Sequence, residues 1–321
     1  MTHMAVAGIQ MHIGMRSNLA EMERRLDLLM YLYPWVEMVV FSELAADGPS
    51  PASAQPVGGP NELAFAKMAR KHKLWLVAGS YFEKRDGAIY NTTPVLNPEG
   101  EIVTRYRKMF PFAPYEDATA PGDEFCVFDV PDVGRFGVSI CYDLWFPEVT
   151  RTLTSMGAEV ILNPVLAHFV DRPADLAIAR ATGAMFQCYV FHINGLLAGG
   201  NGYSQVIDPM GQVLHDGSTQ DELIPIEVDF GLVRRQRERG IKNMGQPLKS
   251  FRDSKMRFGV YGPEFDRSYL DSLGPLQRPG RANAEPAVAP EPQPAPLQSP
   301  AAPEAGAGEP PANRPALTED L

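Results

Sequence analysis

The sequence predicts an α/β layered fold, and three features carry that expectation. Short apolar runs alternate with amphipathic segments from the N-terminus to about residue 270. Two pairs of those runs are joined by Asn/Asp-Pro-x-Gly turns, the signature of hairpins inserted between helices. The composition, 45% hydrophobic and 21% charged over 321 residues, suits a chain with a large buried core. Interleaved strands and helices bury their sheets between helical layers.

Taken in order, MAVAGIQM reads as a strand, and Asn18 to Leu32 follows a helical period with Leu19, Met22, Leu26, Leu29 and Met30 on one face. VEMVVFSEL is a strand ending at Glu43, ELAFAKMARKHK a helix, and LWLVAGSYFEK a strand. YNTTPVLNPEGEIVTRYRK forms a hairpin turning at Asn97-Pro98-Glu99-Gly100. GRFGVSIC is a strand, FPEVTRTLTSMG a helix closed by Gly157, and AEVILNP a strand. PADLAIARATGAMFQCY is a helix, VFHIN a strand, and YSQVIDPMGQVLHD a hairpin turning at Asp208-Pro209-Met210-Gly211. No internal repeat is visible. One domain over residues 1–270 is the simplest account.

After Gly274 the composition changes. Residues 275–321 hold 12 of the 30 prolines and no aromatic residue. Such a segment cannot bury enough apolar surface to offset its ordering entropy, so 271–321 is expected to be a disordered Pro/Ala-rich tail.

Composition also excludes several classes. A net charge of −10 argues against nucleic-acid binding, which needs a basic stripe. No run of eighteen apolar residues exists to span a membrane. MTHMAVAGIQMHIGM lacks the basic start of a secretory leader, so Asn91-Thr92-Thr93 is not expected to meet the glycosylation machinery. Cys126, Cys141 and Cys188 show no disulfide rhythm and no CxxC pair, which fits a reducing, cytoplasmic setting. The six histidines are scattered without ligand spacing, and AGGNG lacks the Lys-Ser/Thr of a phosphate loop. No metal and no cofactor is expected.

Chemistry concentrates in GVSICYDLWFPE. Cys141 falls where an apolar strand gives way to a helix, a turn that exposes a nucleophile and turns backbone N–H groups toward a developing oxyanion. The alternative is an ordinary core thiol, a reading that also suits Cys126 and Cys188. A serine elbow centred on Ser139 is disfavoured, because Cys stands where the tight turn needs Gly. A thiol nucleophile needs a base and an oxyanion cation. Glu43 at the tip of VVFSEL and Lys108 after EIVTRYR occupy strand ends, although singly each reads as a solvated edge residue. Lys108 is one of three cations in RYRK.

Together these blocks resemble the nitrilase, or carbon–nitrogen hydrolase, superfamily over roughly residues 4–260. VVFSELAADG, GEIVTRYRKMFPF and GVSICYDLWFPEVTR stand in the family's order, with YNTTPVLNPEGEIV, GAEVILNP and YSQVIDPMGQVL in support. The resemblance implies a four-layer α-β-β-α sandwich and a Glu43–Lys108–Cys141 triad. Glu43 is then the base, Cys141 the nucleophile, and Lys108 with the Tyr142 N–H the oxyanion site. Glu116, eight residues after Lys108, matches the family's second glutamate. Trp145, His168, Phe112, Tyr115, Phe146 and Phe169 are candidates for a pocket wall. CYDLWFPE in place of a Cys-Trp-Glu run points to the amidase side, with N-carbamoyl and nitrile hydrolysis as alternatives. A silent binding or scaffold member is the competing class. A homodimer or higher homo-oligomer is implied, with the helix after Cys141 and QPLKSFRDSKMRF near the interface. One departure stands out: Met185 and Phe186 replace the family's Glu-Asn pair, with Arg180 retained.

Overall fold

The computed structural model describes residues 3–168 and 170–277. The chain begins with β1 (His3–Gln10), the short β2 (His12–Ile13) and α1 (Leu19–Leu32). Strand β3 (Met38–Phe41), α2 (Pro60–His72), β4 (Trp75–Val77), β5 (Tyr81–Arg85), β6 (Ala88–Leu96) and β7 (Ile102–Arg107) complete the first half. The second half runs through β8 (Cys126–Val130), β9 (Gly134–Val138), α3 (Pro147–Ser155), β10 (Val160–Val165), α4 (Arg172–Phe186) and β11 (Tyr189–Asn194). It continues with β12 (Leu196–Leu197), β13 (Gly200–Asn201), β14 (Gln205–Ile207), β15 (Val213–Asp216), β16 (Glu222–Asp229) and α5 (Phe230–Arg239).

Two large sheets result, beside a small one of order β13-β12-β2. One large sheet runs β16-β1-β3-β4-β6, with β5 and β7 also on β6; the other has the order β15-β14-β11-β10-β9-β8. In each large sheet three central strands are parallel, joined by helical crossovers, and antiparallel strands flank them. Strand alternation then sorts side chains into three apolar layers. Met4, Val6, Met38 and Val40 face Val138, Val160, Leu162 and Phe191 between the sheets. Ala7, Ile9, Val39 and Phe41 point outward to Met22, Leu26, Phe65 and Met68 of α1 and α2. Ile161 and Val190 point outward to Val149, Leu153, Ala179 and Phe186 on the other side. Three cores between four layers are the α-β-β-α sandwich that the resemblance implied.

The sequence reading needs correction in detail. LWLVAGSYFEK is interrupted into two strands that follow one another along the same edge of β6, Val77 opposite Val95 and Tyr81 opposite Thr92, while β7 takes the other edge. The break is at Gly79, which has φ +71° and passes so close to Ser42 that a Cβ would lie 2.0 Å from its carbonyl oxygen. Only glycine tolerates both conditions. Strands β8 and β16 and helix α5 were not anticipated; β16 seals the β1 edge across eight antiparallel pairs. The Pro/Ala-rich tail lies outside the described residues from 278 onward.

Candidate active site

The parallel strands of both sheets end on one side, where an α/β sheet presents its ligands. Glu43 follows β3 by two residues, and its N–H donates to the Val165 carbonyl at the end of β10, 3.2 Å away. Leu44, at φ +53°, is fixed by its N–H to Ser80 Oγ at 2.8 Å. The Gly79 approach thus brings Ser80, the residue before β5, to the Glu43 turn.

Strand β7 decides among the three cations of RYRK. Arg105 pairs with Glu62 at 2.7 Å and Arg107 with Glu83 at 2.7 Å. Alternation turns Tyr106 the other way, and Lys108 emerges beyond the strand end. Lys108 is 1% exposed, and its Nζ donates to Glu43 Oε1 at 2.8 Å and Glu116 Oε2 at 2.7 Å. Asn91 Nδ2 donates to the same Glu43 oxygen at 2.8 Å and reaches Glu116 Oε1 at 3.4 Å. Asn91 thus belongs to the site, a role the sequence reading missed, having weighed it only as a sequon not expected to be glycosylated. The available signal was a polar side chain within a strand pattern.

Cys141 begins a 3-10 turn, Cys141–Trp145, between β9 and α3. Its φ of +47° is left-handed, a conformation that costs a non-glycine residue on the order of 1 kcal/mol. Asp143 holds the turn in that shape. Its buried carboxylate accepts from the Ile140 N–H at 2.9 Å, the Phe110 N–H at 2.8 Å and the Tyr106 hydroxyl at 2.7 Å. Burial pushes the Asp143 carboxyl up to about 6, against those hydrogen bonds. The Cys141 thiol points to the Leu166 carbonyl, 3.6 Å away.

Electrostatics tie these groups together. Burial raises the Glu43 carboxyl above its usual range, opposed by the Lys108 charge and reinforced by Glu116. Burial works against the Lys108 ammonium, but Glu43, the Cys141 sulfur and Glu116 outweigh it and hold the proton on. Burial and the Glu43 charge push the Cys141 thiol well up, with Lys108 acting in the opposite direction. Burial and the neighbouring Glu43 charge thus favour the protonated thiol over a thiolate at Cys141.

Glu43, Lys108, Glu116 and Cys141 meet at one cavity of about 700 Å³, which Tyr142, Trp145, His168, Phe112 and Tyr115 also line. Phe146 does not line it; that ring stacks on Phe110 with centroids 3.6 Å apart, on the α3 side of the sheet. Phe169 lies outside the described residues. Ser139 is buried and accepts from Asn163 Nδ2 at 2.9 Å, away from the cavity lining. Met185 is half-exposed and Phe186 sits in the outer core under the Arg151 guanidinium, so neither lines the cavity.

A second polar cluster backs the cavity wall, and sequence reasoning missed it. Asp175 accepts from Trp145 Nε1 at 3.1 Å and from Arg172 Nη1 at 2.6 Å. His192 Nδ1 donates to Asn163 Oδ1 at 2.7 Å, and its Nε2 lies 2.7 Å from Arg172 Nη1 and 2.8 Å from Asp175 Oδ2. Burial lowers the His192 pKa, in keeping with a neutral ring. The cluster fixes the Trp145 indole as a wall of the cavity.

Known proteins share this arrangement of elements. A profile of the carbon–nitrogen hydrolase family matches residues 6–238. Omega-amidase NIT2-A of Xenopus laevis is 26% identical over 220 residues, 60% of this chain and 79% of that protein. The 2-oxoglutaramate amidase of Bacillus subtilis is 34% identical over 176 residues, 51% of this chain and 65% of that enzyme. Across such relatives the matched region spans from 60% to 79% of their own lengths. Nit3 of Saccharomyces cerevisiae, a member of branch 10 of the nitrilase superfamily, superposes with a TM-score of 0.69 at 25% identity, over 74% of this chain and 94% of that one. The four-layer sandwich and the profile match over most of the chain together show that it belongs to the carbon–nitrogen hydrolase family of the nitrilase superfamily.

Proposed function

We propose that this protein is a thiol amidase that converts a linear small-molecule amide to its carboxylic acid and ammonia through a Cys141 thioester. One observation carries the reading: a thiol on a left-handed turn shares a cavity with a buried Glu43–Lys108–Glu116 cluster. The amidase names of the similar proteins support it.

Glu43 takes the thiol proton as sulfur attacks the amide carbonyl, so charge separation occurs only during reaction. Its burial-raised pKa suits proton transfer near neutral pH. The oxyanion is met by Lys108 Nζ and the Tyr142 backbone N–H, both fixed before the reaction begins. Collapse of the tetrahedral intermediate breaks the C–N bond, and Glu43 returns the proton to the departing ammonia. Water, deprotonated by Glu43, then attacks the thioester and releases the acid and the thiol. Glu116 shares the ammonium with Glu43 and accepts from the Phe112 N–H, which orients both carboxylates and the loop above them.

A panel of aliphatic, aromatic and carbamoyl amides with the matching nitriles tests the reaction class. Ammonia release from amides at rates at least tenfold above the nitriles is the expected result. Turnover confined to nitriles would contradict it.

The same reading includes a homo-oligomer. Residues 251–277 are exposed throughout, and the segment carries Phe251, Met256, Phe258, Tyr261, Tyr269 and Leu273. A patch so rich in large apolar side chains favours a covered state. Light scattering is expected to give a mass at least twice the 35.3 kDa of one chain; a monomer at micromolar concentration would refute this. A reducing compartment such as the cytoplasm is supported by the three free thiols.

A further inference from the structure

The charge of the cavity says which amides it can accept. Among the described residues it is lined by five carboxylates, Glu43, Glu116, Asp117, Asp171 and Asp175, and by one ammonium, Lys108. Lys108 is already shared between Glu43 and Glu116. Asp175 is taken by Arg172 and His192 behind the wall. Asp117 is exposed and Asp171 half-buried, and neither carboxylate has an ion pair or hydrogen bond among the described residues. Arg172 interacts with Asp171 only at longer range. His168 is an exposed residue of the lining.

The remaining wall is aromatic. Phe112 stacks on Tyr115 at 5.3 Å and meets Tyr142 edge-on at 5.0 Å, and Tyr142 lies 5.8 Å from Trp145. Ring faces are the negative part of an aromatic side chain and attract cations, more strongly when water is excluded. Thr119, also in the lining, carries a buried hydroxyl without a hydrogen-bond partner among the described residues. An amide bearing a carboxylate would lose its hydration here with no unpaired cation to receive it, which is costly. An amide bearing an ammonium would find two unpaired carboxylates and a continuous π surface.

We propose that the substrate is an amide whose acyl chain carries an ammonium group, selected by Asp117, Asp171 and the Phe112–Tyr115–Tyr142–Trp145 wall. The inference rests on the amidase reading and narrows it. It also sets this chain apart from the 2-oxoglutaramate amidase it resembles, since 2-oxoglutaramate carries a carboxylate.

Three amides of matched length decide the matter: the amide of 5-aminopentanoic acid, pentanamide, and the monoamide of glutaric acid. The full-length protein should show kcat/KM about tenfold higher for the ammonium amide than for pentanamide, the ratio one desolvated cation–π contact supplies. The glutaric monoamide should fall about tenfold or more below pentanamide. Joint replacement Asp117→Asn and Asp171→Asn should bring the ammonium-to-neutral ratio close to unity. Equal or better use of the glutaric monoamide than of pentanamide overturns the proposal, as does a ratio unmoved by the double replacement. Calorimetric binding of the same three compounds to the Cys141→Ala protein separates the two readings. If none is hydrolysed but the ammonium amide binds tightest, charge selection stands and the amidase assignment falls. If none is hydrolysed and binding shows no charge order, both fall.

Discussion

Replacing Cys141 with alanine is expected to lower amide-dependent ammonia release by roughly 10⁴-fold or more, while the fold persists. The magnitude is that of losing a nucleophile whose partners act as a unit with it. Alanine suits the test because it has the same left-handed penalty as cysteine at φ +47°, so the turn is neither relaxed nor further strained. The Asp143 carboxylate still receives the Ile140 and Phe110 N–H groups and the Tyr106 hydroxyl, which hold the backbone in place. The contact removed is the weak one from the thiol to the Leu166 carbonyl. Stability should therefore change by less than about 1 kcal/mol. A variant retaining a tenth of the original rate would remove Cys141 from the mechanism.

Lys108→Met should damage both activity and stability, and its pH dependence distinguishes it from an ordinary core substitution. The methionine keeps the volume and removes the charge that Glu43 and Glu116 share. Loss of one member of a buried ionic cluster costs about 3–5 kcal/mol, because the others remain desolvated. Loss of the cation proposed to meet the oxyanion adds roughly 10²–10³-fold in kcat. Burial already raises the Glu43 pKa above its ordinary value of 4.5, and without the ammonium it rises further. A carboxyl with a raised folded pKa contributes its stability below the unfolded value and loses it as pH climbs through the folded one. The variant should thus lie nearer the parent protein at pH 5 than at pH 8 in urea unfolding. A deficit that is the same at both, or larger at pH 5, would show that Glu43 and Glu116 do not share a buried charge.

The sequence located the elements where periodicity is strong and local. Helix α1 appears within a residue of its expected bounds, and both hairpins turn at their Pro-x-Gly signals, because each depends on contacts close in the chain. LWLVAGSYFEK failed for a non-local reason. Its apolar pattern continues through Gly79, but the Ser42 carbonyl beneath that glycine breaks the strand. Strands β8 and β16 carry a usable signal that the sequence reading missed: Cys126, Phe128 and Val130, like Ile224, Ile226 and Val228, alternate into the core between the sheets.

Glu43, Lys108, Glu116 and Cys141 were legible as residues because three blocks around them recur in a family order, and the fold gathers all four at one cavity. What the residue order could not supply is which neighbours complete them. Asn91 reaches Glu43 across 48 positions of chain, and Asp175 reaches Trp145 across 30. Composition and spacing by themselves determined the layered α/β class and a thiol placed at a strand end. The tertiary structure alone decided that Arg105 and Arg107 go to structural ion pairs while Lys108 enters the site. It alone decided that Asp117 and Asp171 line the cavity with no ion pair among the described residues. The reason is physical. Period and turn chemistry act between near neighbours along the chain, whereas a buried charge is set by whatever the fold brings within a few ångströms of it.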